Sequence, residues 1–263
     1  MRGLAFFVYL TACSASAEAA DLLFERPTAP NDASPEIIGG SKLDPDQWPA
    51  TLVFTSASAE RCTATAIGPR VLLTAGHCIR SGAKGQIAGS AVKVECNAHE
   101  NYSTGAYYDI ALCFASTDIK LLAGAPYERI DVADGSVRGE QLMLLGYGCT
   151  KLGGAGGILY GGAGIVRDAA TAEMPYFVTG GGAAVCSGDS GGGAYRVSGA
   201  ISRRIVGIAS AMAGGDRSNF AALADPDVAQ YIRDWQSRRV DPATGATIKA
   251  DICGLDPIYT CHP

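Results

Sequence analysis

The apolar residues of this chain come in short runs separated by turns, and that spacing restricts the available folds more than any other feature. ATLVFT (50–55), CTATAI (62–67), VLLT (71–74), DIALCF (109–114), QLMLLGYG (141–148) and RRIVGIAS (203–210) each have the length of a strand. Repeated short strands of this kind belong to sandwiches and barrels. The 34 glycines agree, because glycine supplies turns and disfavours long helices. One helix stands out in DPDVAQYIRDWQSRR, where Val228, Tyr231, Ile232 and Trp235 fall at i, i+3, i+4 and i+7. Asp225 suits its N-cap, Pro226 its first turn, and Arg238 and Arg239 the negative end of its dipole. The expected fold class is all-β, closed by one C-terminal helix.

At 263 residues the chain can bury a sizeable core, as one large domain or two small ones. With 48% hydrophobic and 18% charged residues it is not a disordered chain. A net charge of −5, with basic residues only in short pairs such as Arg203-Arg204, argues against a nucleic-acid partner. The N-terminal MRGLAFFVYLTAC has one early positive charge and then an apolar run too short to span a bilayer. The small residues of SASAEAA follow, so 1–20 reads as a secretory signal cut near Ala17 or Ala20. LTAC (Leu10–Cys13) also resembles a bacterial lipobox, in which Cys13 carries the lipid, and that alternative membrane link stays open.

Export changes the meaning of the cysteines. Apart from Cys13 there are eight: Cys62, Cys78, Cys96, Cys113, Cys149, Cys186, Cys253 and Cys261. In an oxidising compartment these form disulfides, and spacing alone allows 105 pairings. No close CxxC or His/Cys pair has metal-ligand spacing, so neither metal nor other cofactor is expected. Residues 21–36, with three prolines, read as a pro-segment or linker without packing of their own. GGAGGILYGGAG (153–164) reads as a flexible loop, and 239–263 as a polar extension with a small disulfide loop.

The chemistry concentrates in CSGDSGGG (Cys186–Gly193), where Ser190 sits among glycines directly after Asp189. Glycines at that density mean close approach to the backbone, or backbone angles that only glycine tolerates. A serine hydroxyl becomes a nucleophile only when a base takes its proton. The histidines are His77, His99 and His262. His262 lies next to the C-terminus and His99, in the polar NAHENYS, reads as a surface residue. His77 ends the strand-like LLTAGHC, and Asp109 heads the apolar DIALCF, where a carboxylate needs a partner. Singly, these residues are a turn serine, a core histidine and a strand cap. Their combination in the order His, Asp, Ser carries the chemical reading.

IIGG (Ile37–Gly40), LLTAGHC (Leu72–Cys78), DIAL (Asp109–Leu112) and GDSGG (Gly188–Gly192) make the chain resemble the trypsin/chymotrypsin family of serine endopeptidases, as an exported bacterial-type member, over about 37–238. The resemblance implies two six-stranded Greek-key β-barrels, about 37–130 and 131–225, with the active site between them and a closing helix at 226–238. It makes His77 the general base, Asp109 its orienting acid and Ser190 the nucleophile. The N–H groups of Gly188 and Ser190 become the oxyanion hole. Ser210 supports Asp109 and opens the strand that pairs with substrate.

The same resemblance implies cleavage between Glu36 and Ile37, after which the Ile37 amine pairs with Asp189. Glu36 stands where the family has Arg or Lys, which points to a glutamyl-specific activating protease or to a different activation route. Among the disulfides it implies Cys62–Cys78 beside the histidine and makes Cys96–Cys113 a cross-strand bridge. Cys149–Cys186 is the next pairing, although the family's usual partner for Cys186 falls near Gly214 and Gly215, and Cys253–Cys261 remains. At the primary specificity position Ala184 replaces the aspartate of trypsin-type members. Met212 stands where glycine leaves the pocket open, so small or medium aliphatic side chains are expected in place of Arg or Lys. The expected partners are polypeptide substrates and an activating protease, and the expected state is a monomer. A catalytically silent relative acting as a surface or binding protein is the alternative, favoured only by SAM (Ser210–Met212) and the Glu36 junction.

Overall fold

A computed structural model describes residues 22–26, 37–56, 60–79, 82–122, 124–149, 151, 153–198, 202–241, 243–255 and 261. The signal reading of 1–20, Cys13, Glu36 and His262 lie outside the described residues. The strands up to residue 115 are β1 (Leu22–Glu25), β2 (Ser41–Lys42), β3 (Thr51–Ser56), β4 (Arg61–Gly68), β5 (Val71–Thr74), β6 (Ala83–Ile87), β7 (Lys93–Ala98) and β8 (Ala111–Ala115). After them come β9 (Arg129–Ile130), β10 (Gln141–Gly146), β11 (Tyr160–Asp168), β12 (Tyr176–Gly180), β13 (Gly193–Ser198), β14 (Ser202–Met212) and β15 (Ser218–Ala222). Helix α1 (Pro226–Ser237) and the hairpin β16 (Arg239–Val240) and β17 (Thr247–Ile248) are the last elements among the described residues.

The all-β expectation holds, with two closed barrels. The first runs β1-β3-β4-β5-β8-β7-β6, seven strands where six were expected. The extra strand is β1, which comes from the segment read as an unpacked linker. In LLFE, Leu22 and Phe24 point into the barrel while Leu23 and Glu25 face solvent. That is the alternation of a half-buried strand, in a run of four residues next to the prolines that dominated the reading. The second barrel closes β10-β13-β14-β15-β12-β11 with six strands, to which β2 and β9 are added. Residues 41–42 and 129–130, counted with the first unit, therefore pair in the second barrel's sheet.

The glycine-rich 153–164 also departs from its reading as a loop, since β11 begins at Tyr160. Its glycines are spacers. A Cβ on Gly161 would come within 2.6–2.7 Å of Leu43 and Leu145 side chains, and one on Gly162 within 3.0 Å of the Gly40 Cα. The strand leaves room for the segment that follows Ile37.

Each barrel has its own core, with Phe24, Phe54 and Leu72 in the first and Leu144, Phe177 and Phe220 in the second. A third cluster joins them and takes in Val71, Tyr147, Tyr195, Ile205, Trp235 and Ile252. A largely buried ion pair pins the seam. The Arg203 guanidinium makes a two-pronged contact with Glu128, donates to the Gln47 carbonyl at 3.1 Å and stacks 3.7 Å over Trp48.

Helix α1 forms as its stripe requires, with Val228, Ile232 and Trp235 buried. Asp225 accepts from the N–H groups of Asp227 and Val228 at 3.0 and 3.2 Å. Arg239 donates to the Trp235 carbonyl at 2.8 Å and satisfies one of the helix's last acceptors. The helix returns to the first barrel, where Tyr231 Oη donates to the Asn97 carbonyl at 2.7 Å. The extension beyond it is integral to the core. Cys253 N–H donates to the Ile67 carbonyl, Ile130 N–H donates to the Cys253 carbonyl, and Ile252 is fully buried. Gly68 is required there, because a Cβ would lie 1.9 Å from the Asp251 carbonyl oxygen. The disulfides are Cys62–Cys78, Cys96–Cys113, Cys149–Cys186 and Cys253–Cys261.

Candidate active site

The pairing of β5 with β8 sets Thr74 opposite Ala111. Whatever follows β5 must therefore meet whatever precedes β8. His77, in the single 3-10 turn Gly76–Cys78 after β5, meets Asp109, two residues before β8. Asp109 Oδ1 accepts from the His77 backbone N–H at 2.8 Å, and Oδ2 contacts His77 Nδ1 at 2.7 Å. The carboxylate is fully buried. With an acceptor at Nδ1, the neutral imidazole carries its proton there and leaves Nε2 as the basic nitrogen. Gly76 makes the approach possible, since a Cβ would lie 3.1 Å from both Asp109 Oδ1 and the Tyr102 ring.

Ser210 completes the shell, its hydroxyl donating to Asp109 Oδ2. The register of β14 against β15 shifts between Ala209 and Ala211, so a bulge takes Ser210 out of the ladder and aims it at the carboxylate.

Ser190 lies in the tight loop before β13, held from both barrels. Thr63 of β4 donates its N–H to the Ser190 carbonyl at 2.7 Å and its hydroxyl to the Gly188 carbonyl at 2.9 Å. Gly191 N–H donates to Ala209 at 2.8 Å and fixes the loop to β14. Gly188 and Gly191 have φ of +100° and +85°, and a Cβ on Gly191 would lie 2.1 Å from the Thr63 carbonyl oxygen. The close approach and the glycine-only angles expected of this loop are both present at the two positions. Among the described residues, the Gly188 and Ser190 N–H groups donate to no protein acceptor, and the Ser190 hydroxyl makes no hydrogen bond.

Asp189 turns away from its neighbour into the second barrel. It is fully buried, accepting from Gly148 N–H at 2.7 Å and Cys186 N–H at 2.8 Å. Ile37 is buried in the same barrel's core, at a φ of +69° that is rare for a β-branched residue. Ile38 bridges to Ala184. Ala184 is buried, whereas Met212 at the end of β14 is 44% exposed.

Three supporting residues escaped the sequence reading. Thr63 carries no signal beyond its place after Cys62. Tyr108 takes a φ of +54° directly before Asp109 and stacks on His99 at 4.9 Å. His99, read as a surface residue, is 4% exposed between Tyr108 and Tyr231. Its polar neighbours in sequence concealed two aromatic neighbours in space. His99 Nδ1 accepts from Asn101 N–H at 3.1 Å, and Nε2 lies 3.5 Å from the Asp227 carbonyl.

Burial holds the His99 pKa below its ordinary value, against the raising influence of the Asp227 carbonyl and of the Glu100, Asp227 and Asp225 charges. The unfolded chain therefore takes up a proton near pH 6.5 that the native state does not. Stability is expected to fall as pH drops through 6.5 toward the depressed native value. Thermal melts of wild type and His99→Gln between pH 7.5 and 5 check this, and the substitution should flatten that part of the profile.

The two-barrel fold, with an imidazole oriented by a buried carboxylate and a serine loop between the barrels, has the architecture of the chymotrypsin-type hydrolases. The family model described as Trypsin matches residues 37–235, so the chain belongs to the trypsin family of serine peptidases. A search of the curated proteins found no match.

Proposed function

We propose that the protein is an exported serine endopeptidase that cleaves peptide bonds through an acyl-enzyme. Ser190 Oγ attacks the scissile carbonyl as His77 Nε2 takes its proton, and Asp109 holds the imidazolium through Nδ1–H. The developing oxyanion accepts from the Gly188 and Ser190 N–H groups. His77 then gives its proton to the leaving amine, and water releases the acyl group by the same steps in reverse. The observation that carries the reading is the pair of undonated amides beside Ser190. Polar groups left without protein partners in a glycine-shaped loop fit a ligand oxygen, and each such donor contributes about 3 kcal/mol in the transition state.

Activation by cleavage before Ile37 belongs to the same proposal. The buried Ile37 side chain, the Ile38–Ala184 bridge and the buried Asp189 support it, since a new ammonium at that depth requires a carboxylate partner. Labelling by a fluorophosphonate, read by intact mass, tests both parts. The chain beginning at Ile37 should label, the uncut chain should not, and Ser190→Ala should stay unlabelled. Failure of the Ile37 form to label, in oxidised and folded protein, would sink the reading.

Ala184 and Met212 leave no charge for Arg or Lys and narrow the pocket, so the primary preference is for small or medium aliphatic residues. Met212→Gly is expected to raise kcat/KM for a phenylalanyl substrate about 10-fold relative to a valyl one. Paired peptide substrates differing only at that residue measure it, and an unchanged ratio would remove Met212 from the pocket.

A further inference from the structure

Strand β1 does not line an outer edge of the first barrel; it is the stave that closes it. It pairs antiparallel with β3, from Leu22 opposite Ser56 to Glu25 opposite Val53. On its other side it pairs parallel with β6, from Leu22 opposite Gly85 to Phe24 opposite Ile87. In the strand order, β3 and β6 meet only through it. Phe24 is fully buried with its ring 4.7 Å from Phe54, and its carbonyl accepts from Ala88 N–H at 2.7 Å. The seam is shaped for this occupant, because a Cβ on Gly85 would lie 2.8 Å from the Phe24 ring and 3.1 Å from the Leu22 carbonyl oxygen. Arg26 ends the insertion with an ion pair to Asp46.

The consequence arises at the bond before Ile37. Residues 14–36 contain no cysteine, and the eight cysteines from Cys62 onward are paired with one another. No disulfide can hold the N-terminal piece once that bond is cut. We propose that the seam between β3 and β6 is a strand-acceptor site that retains residues 22–26 after cleavage, so that the cut protein is a two-chain assembly held without a covalent link. The interaction is strand addition, with main-chain pairing on both sides and an apolar pocket for alternate side chains. Extended peptides with aromatic or aliphatic residues at the positions of Leu22 and Phe24 are the ligand class the seam accepts. The proposal takes the cleavage from the function proposed above; the retention itself rests on the barrel alone.

The test replaces residues 32–36 with the enteropeptidase recognition sequence, so that cutting produces a chain beginning at Ile37. After gel filtration, native mass spectrometry should give the mass of both pieces together, while denaturing mass spectrometry should give two separate pieces. Phe24→Ala, still tethered before cutting, should fold and then lose the N-terminal piece after cutting. Leu23→Lys, on the solvent face of the same strand, should retain it. A synthetic peptide of residues 21–31 added to the stripped Phe24→Ala protein should restore the two-chain mass.

Loss of the wild-type piece on gel filtration would overturn the proposal, as would equal retention by wild type and Phe24→Ala. Fluorophosphonate labelling of the same samples separates the two readings. Retention without labelling would leave the strand-acceptor site standing and count against activation. Labelling with loss of the piece would do the reverse.

Discussion

Asp109→Asn is expected to lower kcat about ten-thousand-fold at neutral pH while leaving KM and the melting temperature close to wild type. The reason lies in which donors the carboxylate receives. One oxygen takes the His77 backbone N–H and the other faces Nδ1 and the Ser210 hydroxyl. An asparagine has one acceptor oxygen, and the backbone N–H, which cannot turn away, claims it. The amide nitrogen then points at Nδ1, which must become the acceptor. The ring proton moves to Nε2, where it blocks transfer from Ser190. Ser210 loses its acceptor but has the Gly105 carbonyl 3.4 Å away, so the fold should be little disturbed. Steady-state kinetics with one peptide substrate, together with the fluorophosphonate rate, would measure the effect. A kcat within 10-fold of wild type would show that Asp109 does not set the tautomer of the base.

Arg203→Ala should be the most damaging substitution to stability away from the cleft. It leaves Glu128, 3% exposed, without its cation, and removes the guanidinium from Trp48 and from the Gln47 carbonyl. An orphaned buried charge of this kind costs about 3 kcal/mol, which for a chain of this size lowers Tm by about 8 °C. Burial already raises the Glu128 pKa above the ordinary carboxylate value, with Arg203 acting against it. Removing Arg203 raises it further.

The unfolded chain gives up this proton near pH 4.3, and the native variant at a higher pH. Between those values the native state holds more protons, so the variant loses stability as pH rises and regains it on acidification. Melts at pH 7 and pH 5 should show the gap to wild type closing. Glu128→Gln combined with Arg203→Met should recover most of the loss. A full deficit in that double variant would mean that the contacts to Trp48 and Gln47, rather than the orphaned charge, hold the seam.

Much of this structure is legible wherever one local rule decides it. Helix α1 was readable because Asp225, Pro226 and the Val228–Trp235 stripe state the same element three ways. Strands β3, β4, β5, β8, β10 and β14 were readable because their apolar runs are short and bounded by turns. Strand β1 was hidden because Leu22–Glu25 alternates for only four residues and its pairing partners lie some 30 and 60 residues away. The glycines of β11 misled for the opposite reason. Their lack of side chains looks like freedom along the sequence, but in space each vacancy is occupied by a neighbour. At the site, the positions of His77, Asp109 and Ser190 could be read from motifs. The residues that hold them, Thr63, Tyr108 and His99, act through contacts between elements that no local pattern records.

The Ile67–Cys253 and Ile130–Cys253 hydrogen bonds also have a meaning for how the chain is made. The first barrel is encoded near the start, yet its backbone carbonyl at Ile67, like the Ile130 N–H of β9, finds its partner only when residue 253 arrives. Contacts of such sequence separation are formed late, because the intervening loop must be closed before any of them stabilises the product. Emerging from a ribosome or a translocation pore, the N-terminal half would wait in an incomplete state until residue 253 was released. The segment around Cys253 thus acts as a clasp on what was synthesised first, and ties completion of the first barrel to the arrival of residues made after the second.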